Sequence, residues 1–259
     1  RFYVDGKPVN VTISNGTAVA DLNNITPGEH NITVVYTDKD GRQSIANKTI
    51  TVYISIKAND MTRGWGSLYD YEAEFLDKDG HVLANTTMQF KVDGKTYQVM
   101  TDNKGIAKLN ESKLPVGKYE VEITNTLTGE VVKHNLTIVK RLIENKDVTL
   151  DFLQGKKYVV RAIGDDGKPV GAGEIVKFRA NGINYAAVTD KDGYAKLTIN
   201  LNPGKYTITA QYAAYKVSNK IKVKQTLKLV KKTVKVKKTA KKLKIKAKLK
   251  WSNGKAIKG

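Results

Sequence analysis

Eight of the 19 asparagines in this chain stand in Asn-x-Ser/Thr, at Asn10, Asn15, Asn24, Asn31, Asn47, Asn85, Asn110 and Asn135. That tripeptide is the acceptor for N-linked glycan, and chance would supply only about two copies. On a strand the Asn and the Thr two places on share a face, so Asn31/Thr33 and Asn135/Thr137 lie opposite the apolar Ile32/Val34 and Leu136/Ile138. The eight sites are therefore expected on the wet face of an exported glycoprotein. A second set of polar groups is Asp-Lys-Asp-Gly, at Asp38, Asp77 and Asp190, which could offer carboxylates to a cation. No bidentate Glu closes any of these loops, and a turn ending in Gly accounts for them more simply.

Nothing else in the chain has the spacing of a reaction centre. The histidines are His30, His81 and His134, and cysteine is absent, which excludes disulfides, thiolate nucleophiles and cysteine-rich zinc sites. No Ser-His-Asp order, phosphate loop, HExxH or complete dinucleotide fingerprint is present. Asp165 and Asp166 are neighbours in one turn, not two carboxylates across a cleft. The sequence thus predicts no enzyme, no cofactor and no metal. An aromatic platform for sugar could form from Trp65, Tyr69 and Tyr71 in the irregular stretch RGWGSLYDY, although sandwich strands often bury such residues.

What must position these groups is a repeat. FKVDGKTYQVMTDNKGIAKL from Phe90 superimposes on FRANGINYAAVTDKDGYAKL from Phe178, with Tyr97 on Tyr185, Gly105 on Gly193 and Tyr119 on Tyr206. FYVDGK at Phe2 begins a third copy, and a fourth starts near Thr226. Apolar residues alternate at a spacing of two, as in Val176, Phe178 and Ala180 against Lys177 and Arg179, with Gly, Asp, Asn and Pro turns between. The pattern predicts an all-β chain of tandem immunoglobulin-like sandwiches, about seven antiparallel strands per repeat, arranged end to end. The expected divisions are a partial repeat at 1–56 holding the later strands, repeats at 57–140 and 141–224, and a partial, Lys-rich repeat at 225–259 holding the first strands. Hairpin geometry also requires positive φ at Gly105 and Gly193.

The formal charge of +20 is local: residues 1–56 are neutral, 57–140 carry −1, 141–224 carry +7 and 225–259 carry +14. Lys alternates with apolar residues in the last segment, so Lys228, Val234, Val236, Leu243, Ile245 and Leu249 are expected on strands. Those strands could pair with a neighbouring molecule's open first repeat and propagate a head-to-tail filament. An anionic wall polymer suits the lysines better than nucleic acid does, because Trp251 is the sole aromatic between Thr226 and Gly259. No run of about 18 apolar residues exists to span a membrane as a helix.

The blocks YVVRAIGDDGKPVGAGEIVKF, INYAAVTDKDGYAKLTINLNPGKYTITAQY and VSNKIKV resemble the Ig-like repeats of adhesin-like surface proteins of methanogenic archaea. Their turns are similar to those of invasin-type and prealbumin-like bacterial modules as well. The resemblance covers essentially the whole chain and implies an extracellular, non-enzymatic stalk or adhesin that contacts other cells or surfaces. The alternative is a carbohydrate-binding or spacer module of an exported multidomain protein.

Overall fold

The computed structural model describes residues 1–22, 25–231 and 233–257, and no helix occurs among them. The fold is all-β, built of tandem immunoglobulin-like sandwiches. Contacts divide the chain into two compact units. One comprises Arg1–Asp60, Asp70–Leu109 and Glu120–Asn135; the other comprises Met61–Tyr69, Asn110–Tyr119 and everything from Leu136 onward.

In the first unit the strands Lys7–Val9, Phe2–Val4, Gly28–Thr37 and Gln43–Val52 form one antiparallel sheet in that order. A second, three-stranded sheet runs Ile106–Leu109, Tyr71–Phe75, Ile56–Ala58. The strand Thr87–Val92 pairs with both Lys95–Met100 and Gly117–Thr124. Alternation places Met88, Phe90 and Val92 inside against Tyr71, Ala73 and Phe75, all buried. Phe90 meets Tyr71 and Phe75 edge-on, with ring centroids 6.4 and 6.1 Å apart.

The second unit repeats the plan. Leu142–Ile143, Lys157–Ala162 and Tyr194–Thr198 make a three-stranded sheet, and the other sheet runs Val148–Asp151, Tyr215–Lys224, Gly204–Tyr212, Ile175–Ala180, Ile183–Val188. Between them lies a core in which Tyr158 and Phe178 cross at 86°.

Two details depart from the expected seven antiparallel strands. The opening strand is broken in two, as Ile56–Ala58 with Met61–Gly64 and as Leu142–Ile143 with Val148–Asp151, so that Leu142–Ile143 joins one sheet antiparallel to Lys157–Ala162 while Val148–Asp151 joins the other. That second piece is parallel to the last strand, as Met61–Gly64 is to the end of Val131–Val139, since both strands of the pair run the same way through the sandwich. Their pairing covers an edge that would otherwise offer unpaired backbone groups. An aspartate at each break holds the neighbouring strand: Asp60 Oδ1 accepts from Asn135 N at 2.8 Å, and Asp147 Oδ1 accepts from Lys220 N at 2.9 Å.

The turns follow their residues. Asp5-Gly6, Asn15-Gly16, Asp93-Gly94 and Asn181-Gly182 close two-residue hairpins with both members at positive φ. Gly105 and Gly193 lie at positive φ, 75° and 82°, as expected, but each ends a turn that carries the chain from one sheet to the other, so neither turn is the hairpin the sequence suggested.

Candidate functional site

The aspartate turns use their own carboxylates. Asp77 Oδ1 accepts from Asp79 N and His81 N, both at 2.8 Å, and Asp38 and Asp190 accept in the same way from Asp40, Arg42, Asp192 and Tyr194. These backbone donors hold the Asp77 carboxyl below the usual carboxylate range. Asp77, Asp79 and His81 do come close enough to share an ion, but all three line an open turn and the geometry is that of an Asx cap.

Seven of the eight sequon asparagines are exposed; Asn24 lies outside the described residues. Two sequons interlock, since Asn31 stands opposite Thr49 and Thr33 opposite Asn47 on adjacent strands. Thr49 Oγ1 donates to Asn31 Oδ1 at 3.2 Å, a bond that does not use the Asn31 amide nitrogen. Asn135 Nδ2 instead donates to Asp60 Oδ2 at 3.0 Å, so a glycan there competes with this bond.

The three aromatics do not form a platform. Tyr71 is 1% exposed, with its hydroxyl donating to Asn59 O at 2.8 Å, and burial pushes its phenol well above the ordinary tyrosine value. It therefore has no face to offer a ligand, which corrects the expectation from sequence. Trp65 is half-buried against Tyr215, ring centroids 5.4 Å apart. Tyr69 alone is exposed, and its carbonyl accepts from Arg63, a guanidinium buried to 1% exposure that also donates to Glu111 O.

The Lys-rich segment is likewise less regular than its alternation suggests. Leu227–Leu229 pairs with Ala247–Leu249, which places Lys228 and Leu249 on strands. Val234, Val236, Leu243 and Ile245 are exposed and belong to no strand among the described residues. A spacing of two becomes a strand only where a partner supplies the ladder, and among the described residues none does so for them.

A cluster that sequence reasoning missed surrounds Arg141. Its guanidinium is buried, Nε donating to Trp65 O at 2.7 Å and the terminal nitrogens to Ile163 O and the Asp165 carboxylate. The Arg141 hydrogen bond is the main reason the Asp165 carboxyl lies below its ordinary value. Gly64 N donates to Asp165 O at 3.1 Å. A Cβ on Gly64 would stand 2.5 Å from Gly164 O and 2.7 Å from the guanidinium, so only glycine admits this approach. Arg141 reads in sequence as one more cation in a basic chain; its burial depends on partners 22 to 76 positions away.

No family model matches the sequence, and no curated protein does. Among solved structures, the titin I9-I11 tandem is similar at 13% identity and a TM-score of 0.33, over 84% of this chain and 89% of that one. A 1.5-MDa bacterial ice-binding adhesin is similar at 17% identity and a TM-score of 0.28, over 86% of this chain and 85% of that one. The SGBP-B protein of the Bacteroides ovatus mixed-linkage glucan utilization locus is similar at 11% identity and a TM-score of 0.24. That alignment takes in 88% of this chain, which spans 60% of the Bacteroides protein's length. The fold assignment rests on the strand pairing itself.

Proposed function

We propose that the chain is a non-enzymatic segment of a cell-surface adhesin or stalk, displayed outside the cell and glycosylated at its sequons. The Arg141 cluster carries the reading, because it locks the segment Gly64–Trp65 onto the turn at Gly164 and Asp165 with a buried cation and a backbone hydrogen bond. A spacer needs such an ordered interior; a catalyst would need titratable groups left for substrate, and the aspartates of the turns serve as caps instead. In this reading the repeats divide as the sequence suggests, with partial repeats at 1–56 and 225–259 around repeats at 57–140 and 141–224. Resemblance to archaeal adhesin-like repeats supports the same reading.

The test is saturable binding of the fluorescent full chain to whole cells, with peptide mass spectrometry of native material for the sequons. Absence of cell binding under all conditions would overturn the adhesive role, and eight unmodified asparagines would overturn export with glycosylation. The exposed apolar residues Val234, Val236, Leu243 and Ile245 favour a further element of the proposal, pairing with a second molecule into a head-to-tail filament. Sedimentation showing only monomer at high concentration would end that element.

A further inference from the structure

One sheet face differs between the two complete repeats in a way that only the register reveals. In the repeat at 57–140, Lys91 stands opposite Glu122, while Lys133 bridges to Glu120 at 2.7 Å and to Glu122 at 3.4 Å. The cations of that face are balanced. In the repeat at 141–224 the same places in the ladder are occupied by Thr207 and Thr209, since Phe90 pairs with Ile123 as Phe178 pairs with Ala210. Arg179 consequently stands opposite Thr209 and Lys177 opposite Gln211. Gln211 is followed across the sheet by Lys216, Thr207 by Lys220 and Lys205 by Lys222.

The result is a strip of six cations, Lys177, Arg179, Lys205, Lys216, Lys220 and Lys222, on one outward face. None of the six has a carboxylate within 4.0 Å among the described residues. Two acids border the strip: Asp147 accepts from Lys220 N and Asn219 Nδ2 and feels the Lys220 charge at longer range, and Asp151 accepts from Ser252 N at 2.8 Å. Between the cations lie hydrogen-bonding groups, Thr209 Oγ1 and Ser218 Oγ being 2.9 Å apart. A shallow open cleft of about 990 Å³ lies over Lys177, Arg179, Thr209, Gln211 and Lys216. From Lys216 to Lys222 the strip runs about 20 Å along one strand, at about 3.3 Å per residue. No sequon falls on it, whereas Asn31 and Asn47 lie on strands of the first repeat that pair in the same order.

We infer that this face binds a polyanionic carbohydrate, an acidic polysaccharide lying along the strands Gly204–Tyr212 and Tyr215–Lys224. Unopposed cations at strand spacing match a chain with repeating negative charge, and the Thr, Ser and Gln groups between them match its hydroxyls. A single-stranded nucleic acid would want aromatic stacking surfaces, and the cleft's one aromatic pair, Phe178 and Tyr185, has its rings packed with the core. The inference deepens the adhesive reading by naming a ligand class. Its test uses no cells, so the two can fail separately.

The probes are polygalacturonate, dextran sulfate, neutral dextran and single-stranded DNA, titrated against the full chain at low and moderate salt. Binding to the two acidic polysaccharides, weakening with salt and absent for neutral dextran, is expected. The decisive variant is Thr207→Glu/Thr209→Glu, which installs the charges that the other repeat carries at these places, so the fold already accommodates them. It should lower affinity for both polyanions at least tenfold with an unchanged melting temperature. Lys241→Gln/Lys242→Gln/Lys244→Gln, which removes three positive charges where the decisive variant adds two negative ones but lies off the face, should change affinity less than threefold. Equal losses in both variants, no loss in the first, or DNA bound more tightly than either polysaccharide would overturn the site. Preference between polygalacturonate and dextran sulfate tells carboxylate from sulfate recognition, and either preference supports the assignment.

Discussion

His30 Nε2 lies 2.6 Å from the carbonyl oxygen of Thr26. This is the same four-residue return that Tyr119 makes to Pro115 and Tyr206 makes to Asn202, each through a hydroxyl at 2.9 Å. A tyrosine corner thus enters the strands Gly117–Thr124 and Gly204–Tyr212, and at the start of Gly28–Thr37 a histidine takes its place. The substitution adds a second bond, because His30 Nδ1 lies 2.7 Å from Asp5 Oδ2 in the adjoining hairpin turn.

That pair makes the first repeat sensitive to pH. Asp5 raises the His30 pKa above 6.5, and His30 is the largest cause of the Asp5 pKa lying below 3.8. A raised histidine stabilises the fold below its ordinary value and loses that contribution as pH rises through the raised one. A lowered aspartate contributes above its ordinary value and loses that as pH falls through the lowered one. Stability from the pair is therefore full between about pH 4 and about pH 6.5. NMR titration of the His30 ring should show the raised midpoint, and His30→Tyr should keep the corner while removing the alkaline loss of stability.

At the corner entering Gly204–Tyr212, Tyr206 is half-buried at the rim of the core. The interior aromatic is Phe178. Tyr206→Phe removes only the bond to Asn202 and should cost about 1 kcal/mol, whereas Phe178→Ala should cost roughly 3 to 5 kcal/mol. Urea unfolding of both variants would separate them.

Gly193 combines φ 82° with close backbone: a Cβ there would stand 2.9 Å from Val170 O and 3.1 Å from Ala162 O. Gly193→Ala should therefore destabilise by more than the roughly 1 kcal/mol of left-handed backbone alone. Gly182, at φ 78° with open space around it, supplies the control, and Gly182→Ala should cost about that lower amount in the same denaturation assay.

The buried joint gives the largest expected effect of a single methyl group. Gly64→Ala drives a carbon into Gly164 O and the Arg141 guanidinium and should cost roughly 1 to 3 kcal/mol. Limited proteolysis should then cut first near Trp65. Uncut chain with a normal melting temperature would show that the joint is not under the constraint its distances indicate.

The sequence by itself determined what depends on near neighbours. Period-two alternation set the strands around Phe90 and Phe178, and Asp-Gly and Asn-Gly set the hairpins. The TDxxG turns set positive φ at Gly105 and Gly193, because turn geometry is decided within four residues. Tertiary structure decided what depends on partners far along the chain. Tyr71 went to the core because Phe90 awaited it there, and Arg141 was buried because three distant acceptors surround it. The alternating Val234, Val236, Leu243 and Ile245 stayed outside any strand because no ladder partner among the described residues meets them. Charge at the candidate face followed the same rule. Lys177 and Arg179 look like ordinary surface cations in sequence, and only the register sets Gln211 and Thr209 beside them where the other repeat sets Thr124 and Glu122.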